Sequence, residues 1–582
     1  MRFAVWAPHA ERVDLAIRGR NLPMRRGEGG WFSVEDGDAA PGDRYGFRLD
    51  GAEPLPDPRS PSQPDGVHGL SEVVDHAAFA WTDQGWHGAP LSAAVIYELH
   101  TGTFTPEGSF DAVIPRLGAL VDLGVTAIEL MPVAEFPGAR GWGYDGVDLY
   151  APHHAYGGPA GLKRLVDAAH ARGLAVILDV VYNHLGPDGN HLARFGPYFT
   201  EKYRTPWGAA LNYDDAGSDE VRRFAIDNAL MWLRDHHVDG LRLDAVHAIL
   251  DGSAVHLLEQ LAVEVEALQA ELGRTLWVIA ESDLNDPRLV RAREASGYGL
   301  DAQWSDDFHH ALHAALTGER NGYYADFGPL SDVARALANV FVNDGRYSRF
   351  RRRRHGRPAT GLPGDRFLGY LQNHDQVGNR AMGERSAALM SPGRLRIGAA
   401  LVLAAPFVPL LFQGEEWAAS SPFQYFTDHR DPALGRAVTE GRRREFAAFG
   451  WSAEEVPDPQ DPSTFSRSRL DWSERDRPPH RDMLEWHRRL IALRREQAAL
   501  SDARLERVSA RADDAAGWLL LRRGPLSVLC NVSDGAVRVE LGAAVPRQVL
   551  LASHEGVEVG GDGIALPPQS VVIVEDLPGA TG

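Results

Sequence analysis

The sequence has almost no cysteine: Cys530 is the only one among 582 residues. A single thiol excludes an intramolecular disulfide framework, and it excludes a zinc site built from several thiolates. Cys530 lies in the apolar run LSVLCNV. This setting predicts a small buried hydrophobic side chain and not a reactive nucleophile.

Positive charge is also scarce. The chain has 60 Lys and Arg residues against 80 Asp and Glu residues, and its formal net charge is −20. This sign opposes binding to the phosphate backbone of nucleic acids and to anionic lipid surfaces, so neither nucleic acid nor membrane is expected as a partner. The one basic run, RYSRFRRRRHGRP at 346–358, is predicted to be a solvated loop.

Long hydrophobic runs are missing as well. The longest, from Ile397 to Phe412, is shorter than the ~20 residues that a membrane-spanning helix needs, and it contains Pro406 and Pro409. We expect a helix followed by a buried strand in this segment. The N-terminus becomes polar by position 9 and offers no apolar signal core, which predicts a cytoplasmic protein.

The rest of the sequence divides into three parts. Residues 1–90 alternate short β-type runs with Gly, Pro and Asp turns, a pattern typical of a small β-sandwich. Residues 91–500 alternate apolar runs with amphipathic helices, which indicates repeated βα units. Residues 501–582 again favour β-strands. The predicted fold is an α/β protein in which a (β/α)8 TIM barrel lies between an N-terminal immunoglobulin-like β-sandwich and a C-terminal β-sandwich domain.

Eight apolar runs match the strands of such a barrel, whose packed interior favours bulky aliphatic side chains. They are 94–99, 126–130, 175–181, 238–244, 276–281, 301–305, 367–374 and 409–416. Two excursions interrupt the rhythm, at about 185–218 and about 306–366. Excursions of this length inside a compact domain are commonly functional, and these two would open on the carboxyl side of the barrel.

Polar clusters follow four of the predicted strands. They are DVVYNH at 179–184, GLRLD at 240–244, AE at 280–281 and NHD at 373–375. Because the carboxyl ends of parallel barrel strands all face one mouth, we expect Asp244, Glu281 and Asp375 to share a pocket.

Three carboxylates in one pocket suit glycoside hydrolysis, in which one carboxylate attacks the anomeric carbon and a carboxylic acid protonates the leaving oxygen. Like charges packed close together keep one of the acids protonated. Arg242 precedes Asp244 by two residues on the same strand face, so it can hold that carboxylate ionised and aimed. His184 and His374 can donate hydrogen bonds to sugar hydroxyls.

Each cluster alone has a simpler explanation. An Asp after an apolar strand often caps a helix or joins a salt bridge, and a single Glu281 is equally ambiguous. A metal site at His184, His374 and the carboxylates is a weaker reading, since no pair shows the helical i, i+4 ligand spacing. Four clusters in order at successive strand ends favour the active site.

The four clusters resemble the ordered motifs of the α-amylase family, glycoside hydrolase family 13, in the segments DVVYNH, GLRLDAV, AE and QNHD. The resemblance implies that Asp244 is the nucleophile, Glu281 the general acid and base, and Asp375 the carboxylate that stabilises the transition state. It implies substrate-binding roles for further residues of the motifs and for the aromatic residue of GWGYDG. These are His184, Arg242, His374 and Tyr144.

Longer segments resemble one branch of this family, whose members hydrolyse the α-1,4 bond next to the terminal trehalose of a maltooligosyl trehalose. They include YELHTGTFTPEGSF, DAQWSDDFHHALH, YLQNHDQVGNR and LLFQGEEWAASSPFQYFTDH. The resemblance implies an oligosaccharide substrate. The leading hypothesis is retaining hydrolysis. We expect no required cofactor and no metal site, because hydrolysis by carboxylates needs none. Candidates for the trehalose side are the four residues on the loop after the sixth strand and two residues next to the motifs. They are Asp306, Asp307, His309, His310, His247 and Gln376.

Two other functions remain open at this point. The segment GWGYDGVDLYAPHHAYGGP also resembles glycogen branching enzymes, which would pass the glycosyl unit to a glucan hydroxyl in place of water. A non-catalytic glucan-binding protein is the remaining alternative, and the presence of all three carboxylates argues against it.

Overall fold

Eight parallel strands close into a barrel at the centre of the molecule, which is a computed structural model. They are Ile96–Leu99, Ala127–Leu130, Ala175–Val180, Gly240–Leu243, Trp277–Ala280, Ala302–Trp304, Phe367–Gly369 and Val408–Phe412. The structure describes residues 1–447, 452, 455–541, 545–560 and 563–577. Each strand matches one of the eight predicted runs, so the predicted barrel is confirmed.

The seventh strand is shorter than predicted. It ends at Gly369, whereas the apolar run extends to position 374. The reason lies in Asn373, whose side-chain oxygen accepts a hydrogen bond of 2.8 Å from the backbone N–H of Gln376. This contact caps the helix His374–Gly378, so the last residues of the run begin a helix and do not extend the strand.

Helices surround the barrel. The α-helices of eight or more residues are Gly158–His170, Ser218–Asp235, Leu257–Leu272, Asp306–Thr317, Leu330–Asn339, Pro392–Ala404, Pro432–Ala447 and His480–Glu496. Shorter ones are Thr101–Phe104, Phe110–Val113, Leu117–Leu123, Leu192–Phe195, His374–Gly378, Ser386–Leu389, Pro462–Arg467 and Ala498–Ser501. The connection between the fifth and sixth strands carries two 3-10 helices in place of an α-helix, Pro287–Leu289 and Arg293–Ala295.

The helix Ser218–Asp235 shows how the sequence specifies these elements. Val221, Phe224 and Trp232 recur at helical spacing and are buried against the barrel. Asp219 and Glu220 lie in the first turn, where negative charge is favourable near the helix N-terminus. The apolar pattern therefore indicates the buried face of this helix, and the acidic first turn indicates its N-terminal end.

Two β-sheet units flank the barrel. The N-terminal unit has a three-stranded sheet of Arg2–Trp6, Trp31–Glu35 and Arg25–Arg26, and a four-stranded sheet of Arg20–Pro23, Val13–Ile17, Arg44–Leu49 and Ser71–Glu72. The C-terminal unit has a five-stranded sheet of Val508–Asp513, Trp518–Arg523, Leu526–Asn531, Ser570–Leu577 and Val545–Ala552, and a three-stranded sheet of Val537–Glu540, Gly563–Leu566 and Glu558–Gly560. Cys530 is fully buried in the larger sheet, as predicted.

The two excursions are more ordered than the sequence predicted. The first carries a hairpin, Phe199–Thr205 with Gly208–Leu211. In the second, positions 306–310 were predicted as a loop but begin the helix Asp306–Thr317. The reason is that nearly every side chain of the run FHHALHAAL at 308–316 is buried. The basic run was also wrongly predicted to be a loop. It forms a hairpin, Arg346–Ser348 with Arg353–His355, whose turn donates backbone N–H groups to Asp326.

The run from Ile397 to Phe412 folds as predicted. The helix Pro392–Ala404 ends just before Pro406, and the buried strand Val408–Phe412 follows. Within the described ranges, no helix is long and apolar enough to cross a membrane.

Candidate active site

The guanidinium of Arg242 lies at the centre of the predicted carboxylate cluster. Its Nη1 is 2.8 Å from Oδ2 of Asp179 and 3.1 Å from Oδ1 of Asp244, and its Nη2 is 3.3 Å from Oε2 of Glu281. The side chain of Arg242 is fully buried, and the indole of Trp304 covers its face at 4.3 Å. One buried cation therefore holds three carboxyl groups in fixed positions.

Strand register explains why these residues meet. Asp179 pairs with Arg242 in the parallel ladder, so the two side chains lie on the same side of neighbouring strands. The backbone N–H of Asp244 donates to Val180, and that of Glu281 donates to Leu243. Asp244 and Glu281 therefore each lie one step beyond the end of a strand, at the carboxyl mouth of the barrel.

The turn after Asp244 is strained at one residue. Ala245 has a φ of 38°, a left-handed conformation that a non-glycine residue seldom adopts. Its backbone N–H donates a hydrogen bond of 2.6 Å to Oε2 of Glu281. The strained turn thus helps to aim Glu281 at the pocket next to Asp244.

The environment of Glu281 favours its protonated form. Burial raises the pKa of this carboxyl well above its usual value, and Asp244 and Asp375 raise it further, while Arg242 opposes them. A carboxylic acid that keeps its proton near neutral pH can act as a general acid.

Tyr144 closes one side of the cluster. Its hydroxyl donates 2.6 Å to Oδ2 of Asp179 and lies 2.7 Å from Nε2 of His374. Gly143 has a φ of 100°, and a side chain there would lie 2.1 Å from the carbonyl oxygen of Pro132, so the turn of GWGYDG requires glycine. The ring of Tyr144 is half-buried at the mouth.

Burial raises the pKa of Asp179 to about 7, and Asp244 adds to the rise while Arg242 opposes it. The Oδ1 atom of Asp179 is buried without a hydrogen-bond partner. This carboxyl can hold a proton on that atom while Oδ2 accepts from its neighbours.

His374 and Asp375 lie at the start of the helix His374–Gly378. The Nε2 of His374 is 3.6 Å from Oδ1 of Asp375, and its Nδ1 contacts the carboxylate of Glu98. Asp375 is more open to solvent than Asp244 or Glu281, with 35% of its side chain exposed. The structure therefore places Asp375 on the solvent side of the cluster.

Both ring nitrogens of His184 face oxygen atoms of the protein itself. Its Nδ1 lies 3.1 Å from Oδ1 of Asn183, and its Nε2 lies 3.0 Å from the carbonyl oxygen of Tyr144. The exposed indole of Trp207, from the first excursion, stacks on the ring at 4.6 Å. A hydroxyl that binds His184 must displace one of these partners.

Four of the predicted trehalose-side residues lie near the carboxylate cluster or near one another. They are Asp306, His310, His247 and Gln376. Asp306 accepts a hydrogen bond from Tyr370, and burial together with the charges of Asp283 and Asp375 raises its pKa to about 7. The ring of His310 stacks on Tyr323 at 4.6 Å.

Two further contacts connect the same region. The Nε2 of His247 lies 3.9 Å from Oδ1 of Asp283. Gln376 accepts a hydrogen bond of 3.2 Å from the hydroxyl of Tyr323.

Asp307 and His309 instead have partners inside the protein. Asp307 accepts backbone N–H groups from Val342 and Asn343 at 2.8 and 2.6 Å. His309 is 1% exposed and lies 3.2 Å from the hydroxyl of Tyr324. Their side chains hold the helix Asp306–Thr317 against its neighbours.

Sequence reasoning missed three acidic residues at this site. Glu98 and Glu129 lie opposite each other on the first two barrel strands, and both are fully buried. Asp283 joins the trehalose-side group and binds Arg351 at 2.8 Å. The signal for the first two was present in YEL and IEL, where an acid interrupts a strand that is otherwise buried.

One group of residues in the described part of the chain has donor atoms close enough to hold a metal ion. It consists of Glu135, His153 and His154 and includes none of the predicted catalytic carboxylates. Oε1 of Glu135 lies 2.7 Å from Nδ1 of His154, and Oε2 accepts the backbone N–H of the same residue. These contacts are those of an ion pair between Glu135 and His154, which accounts for the short distances within the group.

Comparison with known proteins agrees with this architecture. Family models match residues 55–207 as an alpha amylase catalytic domain, residues 1–62 as carbohydrate-binding module 48 (isoamylase N-terminal domain) and residues 503–573 as a domain of unknown function, DUF3459. A crystal structure of a candidate alpha amylase from Salmonella typhimurium superposes with a TM-score of 0.91 at 40% identity, over 99% of this chain and 97% of that one.

Curated relatives extend over nearly the full length. The malto-oligosyltrehalose trehalohydrolase of Arthrobacter ramosus is 53% identical over 97% of this chain and 99% of its own length. That of Mycobacterium tuberculosis is 51% identical, over 91% and 92%. A 1,4-alpha-glucan branching enzyme of Pseudoalteromonas atlantica is 32% identical, over only 54% and 49%. The chain therefore belongs to the malto-oligosyltrehalose trehalohydrolases of the α-amylase family.

Proposed function

We propose that the protein hydrolyses the α-1,4-glucosidic bond next to the terminal trehalose of a maltooligosyl trehalose, with retention of configuration. The relatives named above support the substrate, and the carbohydrate-binding module agrees with an oligosaccharide. The single observation that carries the chemistry is the contact of one buried guanidinium, that of Arg242, with both Asp244 and Glu281. This contact brings the two carboxyl groups to the same pocket, where burial favours the protonated form of Glu281.

In the first half of the reaction, the carboxylate of Asp244 attacks the anomeric carbon on the far side of the scissile bond. Glu281 gives its proton to the glycosidic oxygen as the carbon–oxygen bond breaks, and trehalose leaves. The raised pKa of Glu281 supplies this proton near neutral pH.

In the second half, water cleaves the glycosyl ester on Asp244. Glu281, now ionised, removes a proton from the water, and the ester bond breaks to give a malto-oligosaccharide and the free carboxylate. Arg242 stabilises the negative charge that returns to Asp244. Both catalytic carboxyls end in their starting states.

We assign substrate-binding roles to the residues around these two. Asp375 and His374 bind hydroxyls of the sugar at the cleavage point, Tyr144 stacks against its ring, and His184 with Trp207 forms an adjoining wall. On the trehalose side the contacts come from Asp306, His247, His310 and Gln376. Asp307 and His309 act there through the helix that they hold in place.

Product analysis with maltopentaosyl trehalose tests the function. Free trehalose and maltopentaose in equal amounts support it, with the new reducing end released as the α-anomer. New α-1,6 branches on amylose would show a transferase, and glucan binding without any product would show a protein that is not an enzyme. In a crystal structure, the carboxyl groups of Asp244 and Glu281 should lie ~5–5.5 Å apart, because a separation of ~6.5–9.5 Å is typical of inverting enzymes.

A further inference from the structure

Glu98 lies beneath the sugar-binding mouth and is used by no step above. It belongs to the first barrel strand, Ile96–Leu99, and is fully buried. Its Oε2 accepts the backbone N–H of His374 at 2.9 Å, and its Oε1 contacts the Nδ1 of the same residue. Both oxygens of one carboxylate are therefore directed at His374.

The hydrogen bonds around His374 fix where its protons are. Oδ2 of Asp179 accepts from Arg242 and from the Tyr144 hydroxyl, so the single proton of that hydroxyl is committed to Asp179. The Tyr144 oxygen can then only accept from Nε2 of His374, 2.7 Å away. On the other side of the ring, Nδ1 faces the Glu98 carboxylate, which is an acceptor. Both ring nitrogens of His374 are therefore donors.

We infer that Glu98 is a positioning residue that keeps His374 as a doubly protonated imidazolium at the sugar-binding mouth. This inference rests on the proposed function, because His374 is assigned there to a sugar hydroxyl. Glu98 touches no substrate and acts only through the histidine.

The electrostatic surroundings agree with this geometry. Burial by itself lowers the pKa of His374, but the charges of Glu98 and Asp375 outweigh it and raise the pKa to about 9. The opposing positive charge is that of Arg242. The titratable groups that face His374 come from six segments, which are the first four barrel strands, the loop GWGYDG and the helix that begins at His374 itself. They are Glu98, His100, Glu129, Tyr144, Asp179, Arg242 and Asp375.

An imidazolium offers more than a neutral ring at this position. A sugar hydroxyl that binds His374 takes over the Nε2–H that the Tyr144 oxygen accepts. Hydrogen bonds from a charged donor are roughly twice as strong as neutral ones, so this bond can strengthen as charge develops on the hydroxyl in the transition state. The positive ring also lies 3.6 Å from Oδ1 of Asp375, so the two side chains can form an ion pair at the mouth.

The protonation state can be measured without substrate. In protein labelled with 15N-histidine, with the His374 signals assigned by their loss in His374→Gln, both ring nitrogens should carry protons at pH 7.5. A neutral His374 ring at this pH would overturn the inference. Because no turnover is involved, this result does not depend on whether the proposed function is correct.

Kinetics of Glu98→Gln tests the consequence. Glutamine can still accept the backbone N–H of His374, but without the carboxylate charge the pKa of the ring should fall to ~6.5 or below. We expect kcat for trehalose release to fall about 10- to 100-fold at pH 8, with a much smaller loss at pH 5.5 and little change in KM.

Asp148→Asn is the matched control, because Asp148 is also a buried acid but lies outside the site, on the strand Asp148–Pro152. Burial raises its pKa well above the usual value, so it is already uncharged and its substitution should leave the pH profile unchanged. An equal loss for Glu98→Gln at every pH, or the parent profile, would contradict the inference. If the parent enzyme releases no trehalose, the proposed function fails and the histidine spectrum still decides the state of His374.

Discussion

Nη1 of Arg242 lies 3.1 Å from Oδ1 of Asp244 at the carboxyl end of the fourth barrel strand, and the side chain of Arg242 is fully buried. A buried cation without partners would cost several kcal/mol, so Arg242 and its carboxylates stabilise one another only as a group. The same guanidinium reaches Asp179 and Glu281 through separate nitrogens. Its planar fork, and not its charge alone, sets the distances among the carboxyls.

Arg242→Lys should therefore reduce activity severely while keeping the charge. A single ammonium cannot contact Asp244 and Glu281 at the distances that the fork gives, and a misplacement of ~1 Å can cost ~10²-fold in rate. We expect kcat for trehalose release to fall by at least ~10²-fold. The control is Arg222→Lys, since Arg222 is also buried and pairs with Asp251 at 2.6 Å outside the site. Equal kinetic losses in the two variants would show that Arg242 has no special role.

The pH dependence of activity should report Glu281. Its raised pKa means that the acid is protonated at neutral pH, so kcat/KM should decline only as pH rises through that raised value. In Glu281→Gln the rate should fall by ~10²–10⁴-fold. The part of the alkaline limb that Glu281 sets should disappear, which leaves the decline that follows the deprotonation of His374, whose pKa is raised to about 9. Steady-state rates between pH 4 and pH 10 measure both. A variant that keeps the parent rate would exclude Glu281 as the general acid.

Asp306 and Asp307 are neighbours with different expected roles, which makes them a matched pair. Asp306→Asn should raise KM or lower kcat by ~10-fold, with little loss of stability, because this carboxyl faces Asp283 and Asp375 at the site. Asp307→Asn should mainly destabilise the protein, by about 1–3 kcal/mol, since its carboxylate accepts two backbone N–H groups. Urea unfolding and steady-state kinetics on both variants separate the two effects. The reverse pattern would mean that the trehalose side is formed by Asp307.

Much of this architecture could be predicted from sequence because it depends on local periodicity and on strand ends. A buried parallel strand is a short apolar run, and a residue just beyond it must face the mouth. That rule alone predicts that Asp244 and Glu281, which are 37 positions apart in the sequence, share a pocket. The contact of Arg242 with Asp179 was not predicted, because it follows from the register of the ladder, in which these two residues pair.

The remaining features depend on contacts between distant segments. Glu98 is 276 residues from His374, and the apolar pattern of its strand does not show what an interior acid will meet. The sequence of the hairpin Arg346–Ser348 with Arg353–His355 is charged and exposed, and it therefore resembled a loop. The contacts that hold the hairpin are tertiary, namely a hydrogen bond to Asp326 and the ion pair of Arg351 with Asp283. Tertiary hydrogen bonds determine both features, and such contacts produce no periodic pattern in the sequence.

A histidine between two aspartates joins the segment before the barrel to the amino ends of its strands. Nδ1 of His170 lies 2.8 Å from Asp83, and Nε2 lies 2.9 Å from Asp239. The indole of Trp86 stacks on the ring at 4.8 Å and donates to Asp239. Burial lowers the pKa of His170, but its hydrogen bonds to Asp239 and Asp83 outweigh burial and raise it above the ordinary value.

This histidine should make stability depend on pH. Because the pKa of His170 is raised in the folded state, its contribution is fully present below the unfolded value of ~6.5 and is lost as pH rises through the folded value. His170→Gln should therefore lower the free energy of unfolding by about 3–5 kcal/mol at pH 6 and by less at pH 10, as measured by urea unfolding. His487→Gln is a control of opposite sign, since burial lowers the pKa of His487 to about 4 and its neutral form is the stable one. A loss in His170→Gln that is the same at both pH values would mean that the ring binds the aspartates without its charge.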